Sequence, residues 1–256
     1  MDTRLLLISH ASTAAMRAGR FPADDPLDTR GLTEAAVTRA RLSIPDAAAV
    51  FVSPAVCARD TATALGLEDA ALGQRVSVDA GLADMDYGLW HGRRLADLAV
   101  EASEDLAAWT QNPDAAAHGG ESFSQLVKRV GQWLDALDNT LSERSADLMG
   151  DVLSEGMSDS ASRALSDSVA GGATDHGASS NGTNESKARV AGEKNGRLSR
   201  NARNVVAITH AQVIRAAIVH TLGASPAVFP RIEIAPLSMI ELRHSRRGWT
   251  WWPASQ

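Results

Sequence analysis

Two short apolar runs, one near each end of the chain, finish in the same way. Leu5-Leu6-Leu7-Ile8-Ser9-His10-Ala11 and Val205-Val206-Ala207-Ile208-Thr209-His210-Ala211 each pass from unbroken hydrophobic residues to a hydroxyl residue, then histidine, then alanine. A short continuous apolar run reads as a strand buried on both faces, the usual state of a parallel strand inside an α/β sheet. The shared ending sets a histidine just past the carboxyl end of each strand. Open α/β sheets build their ligand sites at such ends. If the two strands are neighbours, the two imidazoles converge.

The intervening pattern fits that frame. Ala49-Val50-Phe51-Val52 reads as a further buried strand, halted at Ser53-Pro54 because proline cannot donate to a ladder. The spacing predicts helices over 33–41 with Thr33 as N-cap, over 57–65 closed by Gly66, and over 211–222 closed by Gly223. Phe123, Leu126, Val127, Val130, Trp133, Leu134 and Leu137 recur at helical spacing after Ser122. Residues 237–242 and 248–252 read as a terminal strand pair, with the alternating Trp249, Trp251 and Trp252 placing core on one face. Strands alternating with helices predict a three-layer α/β/α sandwich with a mostly parallel central sheet.

Composition narrows the function classes. At 44% hydrophobic over 256 residues the chain buries a sizeable core. One stretch departs from this. Residues 154–201 are dominated by Ser, Gly, Ala, Asn and single charges, without an apolar stripe. Such a segment cannot offset its ordering entropy, so a single domain over 1–256 is expected, interrupted there by a disordered insertion. The net charge of −6 offers nucleic acid or an anionic membrane no attraction. No apolar stretch reaches membrane-spanning length, and the N-terminal run is too short for a signal peptide core. The lone cysteine, Cys57, excludes a disulfide within the chain and reads as a packed thiol. The expected location is the cytoplasm.

Five stretches, in their order and spacing, resemble the histidine phosphatase superfamily. They are Ser9-His10-Ala11-Ser12-Thr13; Ser53-Pro54 with Ala58 and Thr61-Ala62; Leu82-Ala83-Asp84 with Gly88-Leu89-Trp90-His91-Gly92; Gly119-Gly120-Glu121-Ser122; and Thr209-His210-Ala211-Gln212-Val213-Ile214-Arg215. The resemblance covers the chain apart from the insertion. It implies a phosphoglycerate mutase-like fold and a phosphomonoesterase acting on a small phosphorylated metabolite. His10 would attack phosphorus and carry a phosphohistidine. His210 would hydrogen-bond a phosphoryl oxygen. Asp84, or its neighbour Asp86, would protonate the leaving oxygen and then deprotonate the attacking water. The mechanism calls for no metal and no cofactor, and a homo-oligomer stays open.

The sequence also departs from the family pattern. Ser9-His10-Ala11 stands where the family has Arg-His-Gly. Cys57 occupies the usual place of a second arginine, and Met16 that of an asparagine. A charge-assisted hydrogen bond is worth ~1.5–3 kcal/mol. Losing two uncompensated costs on the order of 10² to 10⁴ in rate. Arg59, two residues beyond Cys57, is the first expected substitute, followed by Arg17 and Arg20 in the loop after His10. Ser9, Ser12, Thr13 and Thr209 supply neutral phosphate contacts. Three functions remain: a divergent phosphatase, a phosphate-binding pseudoenzyme, and, last because it needs the most cations, a phosphoglycerate mutase.

Overall fold

The computed structural model describes residues 3–44, 48–68, 76–137 and 203–253. They belong to one unit, Met1–Asp138 with Asn201–Gln256. The second unit, Asn139–Arg200, and the insertion expected over 154–201 lie outside the described residues.

The strands are β1 (Thr3–Ser9), β2 (Ala49–Val52), β3 (Val76–Val78), β4 (Arg203–Thr209), β5 (Met239–Ser245) and β6 (Gly248–Trp252). They form one sheet in the order β3-β2-β4-β1-β5-β6. The two strands with matching sequences are neighbours. They run parallel and in register, from Leu5 opposite Val205 to Ser9 opposite Thr209. β2 lies parallel on the far side of β4, and β3 parallel to β2. Only the pairings of β5, with β1 and with β6, are antiparallel, so the sheet is mostly parallel as expected.

Both faces are covered. Ala58 and Ala62 of α3 (Val56–Ala64) pack with Ile8, Val50, Val52, Val206 and Ile208. Side chains alternate along a strand, so Leu5, Leu7, Val205 and Ala207 point the other way. They are as deeply buried, and α7 (Ala211–Thr221) packs against β1 and β6. This is the α/β sandwich that the alternating pattern predicts.

Boundaries shift for local reasons. The second helix, α2, spans Thr29–Arg39 rather than starting at Thr33. Asp28 caps it by accepting from the Gly31 N–H at 3.0 Å, while Thr33 donates back to the Thr29 carbonyl within the helix. The loop after His10 contains a single helical turn, α1 (Ala14–Arg17), capped by Thr13. Helices α4 (Leu95–Glu101) and α5 (Ser103–Gln111) and strand β3 escape sequence reading. Helix α5 buries no side chain, so no apolar stripe marks it. A further helix, α6, is described over 123–137. Ser122 accepts from the Gln125 N–H and Gln125 accepts from the Ser122 N–H, a reciprocal cap. Of the terminal tryptophans only Trp249 is buried. Trp251 and Trp252 stand exposed, the latter under the Arg243 guanidinium at 4.0 Å. The expected core face of that strand therefore reduces to one residue.

Candidate active site

His10 and His210 follow directly on β1 and β4, and strand register brings them side by side. The His10 N–H bonds the Thr209 carbonyl at 2.8 Å, and the ring centroids lie 5.0 Å apart. The His10 Nδ1 lies 2.8 Å from the Ala11 carbonyl. A carbonyl only accepts, so Nδ1 carries the proton and Nε2 keeps the lone pair. Burial and the neighbouring imidazole hold His10 below the ordinary histidine value. Burial, followed by the charge of Arg129, pushes His210 down to about 4. Both rings are therefore neutral at pH 7. Ser53 Oγ sits 2.9 Å from His210 Nε2, fixing that ring from the end of β2.

Asp84 lies opposite. Its Oδ2 is 3.4 Å from His210 Nδ1, and its Oδ1 accepts from the Met85 N–H. Burial lifts its carboxyl from 3.8 to about 6. Arg129 of α6 holds this loop. Its guanidinium spends all five donors: two on the Glu121 carboxylate and three on the carbonyls of Gly81, Ala83 and Asp84. Thr209 Oγ1 donates to the Leu82 carbonyl at 2.7 Å, tying β4 to the same loop. Below, Tyr87, Trp90, Trp109, His118 and Phe21 pack ring against ring. Gly88, at φ +47°, lets this loop cross the next one, for a side chain there would meet the His118 carbonyl at 2.1 Å.

These groups open on a cavity of about 370 Å³. Its lining includes His10, His210, Asp84 and Cys57. Arg20 is the arginine among the described lining residues, and it pairs with Asp25 at 3.1 Å. Asp24, Asp25 and Asp86 also line it, so carboxylates outnumber cations.

The first expected substitute cation is not there. Arg59 is exposed and donates to the Pro54 carbonyl. Two residues along a helix turn the side chain by about 200°, so Cys57 facing in means Arg59 facing out. Arg17 pairs with Asp28 and does not line the cavity. Ser12 donates to Glu34 on α2, Ser9 is buried in β1, and the Thr209 hydroxyl is committed to Leu82. Thr13 lines the cavity while capping α1. Asp86 lines it too, yet its side chain is 63% exposed and accepts from the Gly88 N–H. Sequence reading missed Arg129 altogether. Its signal is one of two adjacent charges, Lys128 and Arg129, between Val127 and Val130 of the α6 stripe.

The sequence pattern of the histidine phosphatase superfamily, branch 1, matches residues 5–150 and 155–252. The chain belongs to the histidine phosphatase superfamily. It is 33% identical over 140 residues to Bifunctional protein Rv2228c of Mycobacterium tuberculosis, which covers 53% of this chain and 37% of that protein. It is 27% identical over 135 residues to Phosphoserine phosphatase 1 of Hydrogenobacter thermophilus, covering 52% and 63%. The chain thus spans little more than a third of the length of the first of these relatives. Mycobacterial glucosyl-3-phosphoglycerate phosphatase superposes with a TM-score of 0.64 at 21% identity, covering all of both chains. In this histidine phosphatase fold Ser9 precedes the first histidine, and Cys57 of α3 faces the cavity. Among the described residues no helix is long and apolar enough to cross a membrane.

Proposed function

We propose that this protein is a phosphomonoesterase acting on a small phosphorylated metabolite through a phosphohistidine on His10. The observation that carries the reading is the pairing of His10 and His210 at adjacent strand ends, with Asp84 at 3.4 Å from the second ring. The His10 Nε2 lone pair attacks phosphorus as the ester P–O bond breaks. The leaving oxygen takes the Asp84 proton. The Asp84 carboxylate then draws a proton from water, whose oxygen attacks phosphorus and breaks the P–N bond. With the Ser53 hydroxyl donating to Nε2, His210 presents Nδ1–H to a phosphoryl oxygen. The phosphatase names of the relatives support this reaction class.

The excess of carboxylates around the cavity favours a substrate whose leaving alcohol bears a positive charge. Phosphoethanolamine is therefore expected to turn over with a higher kcat/KM than 3-phosphoglycerate. The deciding experiment is quenched turnover of a phosphomonoester. Acid-labile phosphate on the native protein, absent from His10→Ala, is the expected result. Hydrolysis no faster than in His10→Ala sinks the reading.

One observation favours a second reading, a phosphate-binding protein without turnover. Arg20 is tied to Asp25, leaving the cavity without an unpaired arginine among the described residues. Phosphate binding with no trapped phosphohistidine would select it. A mutase needs more cations still and ranks behind both.

A further inference from the structure

The residue that replaces the family's second arginine does more than remove a charge. The Cys57 sulfur, one nitrogen of His10 and one nitrogen of His210 all lie within 4.8 Å of one another. These ligands sit at positions 10, 57 and 210, too far apart in the chain to form a local metal motif. They meet only because β1 and β4 are adjacent and α3 starts beside them.

We infer that His10, Cys57 and His210 form a binding site for a borderline-soft transition-metal cation of the zinc type. Two imidazoles and a thiolate suit such a cation, whereas magnesium and calcium take oxygen ligands. Each imidazole keeps a nitrogen outside any hydrogen bond to the protein. His10 uses Nδ1 on Ala11 and leaves Nε2, and His210 Nδ1 is buried without a hydrogen-bond partner. Zinc sits about 2.0–2.1 Å from nitrogen and about 2.3 Å from sulfur, so a tetrahedral shell has edges of about 3.6 Å. The triad closes to that by roughly 1 Å of side-chain motion. Three protein ligands leave a fourth position open towards the cavity.

The surroundings favour a cation. Asp24, Asp25, Asp84 and Asp86 line the same cavity, against Arg20. An arginine at position 57 would repel a metal, and the thiol instead supplies a ligand. Binding exchanges the S–H bond for S–metal, with the proton released to solvent, and moves the His210 proton from Nδ1 to Nε2, where Ser53 Oγ accepts it. Cys57 is otherwise an inert buried thiol, raised to about 12 by burial and by the Asp84 charge. A bound metal takes the His10 lone pair, so it competes with attack on phosphorus. The site does not depend on the phosphatase reading.

The test titrates the metal-stripped full chain with Co²⁺ alone and then with Zn²⁺. One Co²⁺ per chain is expected, with a thiolate-to-cobalt charge-transfer band that Zn²⁺ abolishes. Cys57→Ser loses the band. His10→Ala retains the thiol and weakens Co²⁺ affinity by about tenfold or more. Circular dichroism establishes that each variant is folded, and the cavity-lining His10→Ala carries the test if Cys57→Ser is not. A folded native protein without the band overturns the inference. So does a band or stoichiometry unchanged by both substitutions, which places the metal elsewhere. Phosphohistidine formation in metal-free protein is scored separately, so either reading can fail alone.

Discussion

Asp84 Oδ2 lies 3.4 Å from His210 Nδ1, yet that nitrogen makes no hydrogen bond. The carboxyl is thus beside the second histidine without being neutralised by it. Burial, the leading cause, raises Asp84 to about 6. A proton donor must be protonated, and above pH 6 each unit costs about tenfold in that form. His10 must be neutral to attack, and its lowered value puts the acid limb below 6.5. The pH profile of kcat for an alkyl phosphate is therefore expected to fall above about pH 6. Asp84→Asn should remove that alkaline limb and lower kcat by about 10²–10⁴-fold. An alkaline limb that survives in Asp84→Asn would assign the proton to another group.

Arg129 acts on the reaction through Asp84. Three of its five bonds hold the carbonyls of Gly81, Ala83 and Asp84 in a fixed fork. Lysine lacks that fork. Arg129→Lys is expected to lower kcat on an alkyl phosphate by up to about 10²-fold. With a nitrophenyl ester, whose leaving group needs no proton, the loss should be much smaller. Equal losses on both esters would mark Arg129 as a structural residue only.

Cys57 can be returned to the family's residue. Its side chain lines the cavity beside both histidines, and about 370 Å³ of space can take a guanidinium. Cys57→Arg is expected to raise kcat/KM for a dianionic phosphomonoester by about 10–100-fold, the worth of one charge-assisted hydrogen bond. It should also abolish cobalt binding. A folded variant with unchanged kcat/KM would show that the missing cation does not limit the reaction.

Gly31 sets the height of the loop that follows the nucleophile. A β-carbon there would lie 2.1 Å from the Ser12 carbonyl oxygen, a backbone atom that cannot swing aside. Gly31→Ala is expected to destabilise the fold by on the order of 1–3 kcal/mol, read by urea unfolding. Loss of turnover should accompany it, because Ser12 is two residues from His10.

Much of the fold was legible because it is written locally. The apolar runs of β1, β2 and β4 and the stripe of α6 are set by near neighbours in the chain. Helix α5, with no buried side chain, and β3, three residues long, left too little pattern to read. In the site, His10 and His210 stood out by their similar strand endings, a hydroxyl residue, histidine and alanine. Arg129 did not, since a charge on a helix face reads as a solvated one until its partners are known.

The sequence by itself determined that two histidines end two buried strands, because burial of a short apolar run is a local property. It also showed Ser9 and Cys57 at the two places where the resemblance leads one to expect arginine. Only the tertiary structure decided what surrounds them. Helix phase turned Arg59 outward and Cys57 inward. The strand order then set that thiol beside both imidazoles. Residues far apart in the chain meet through packing, and no local pattern records which of them will.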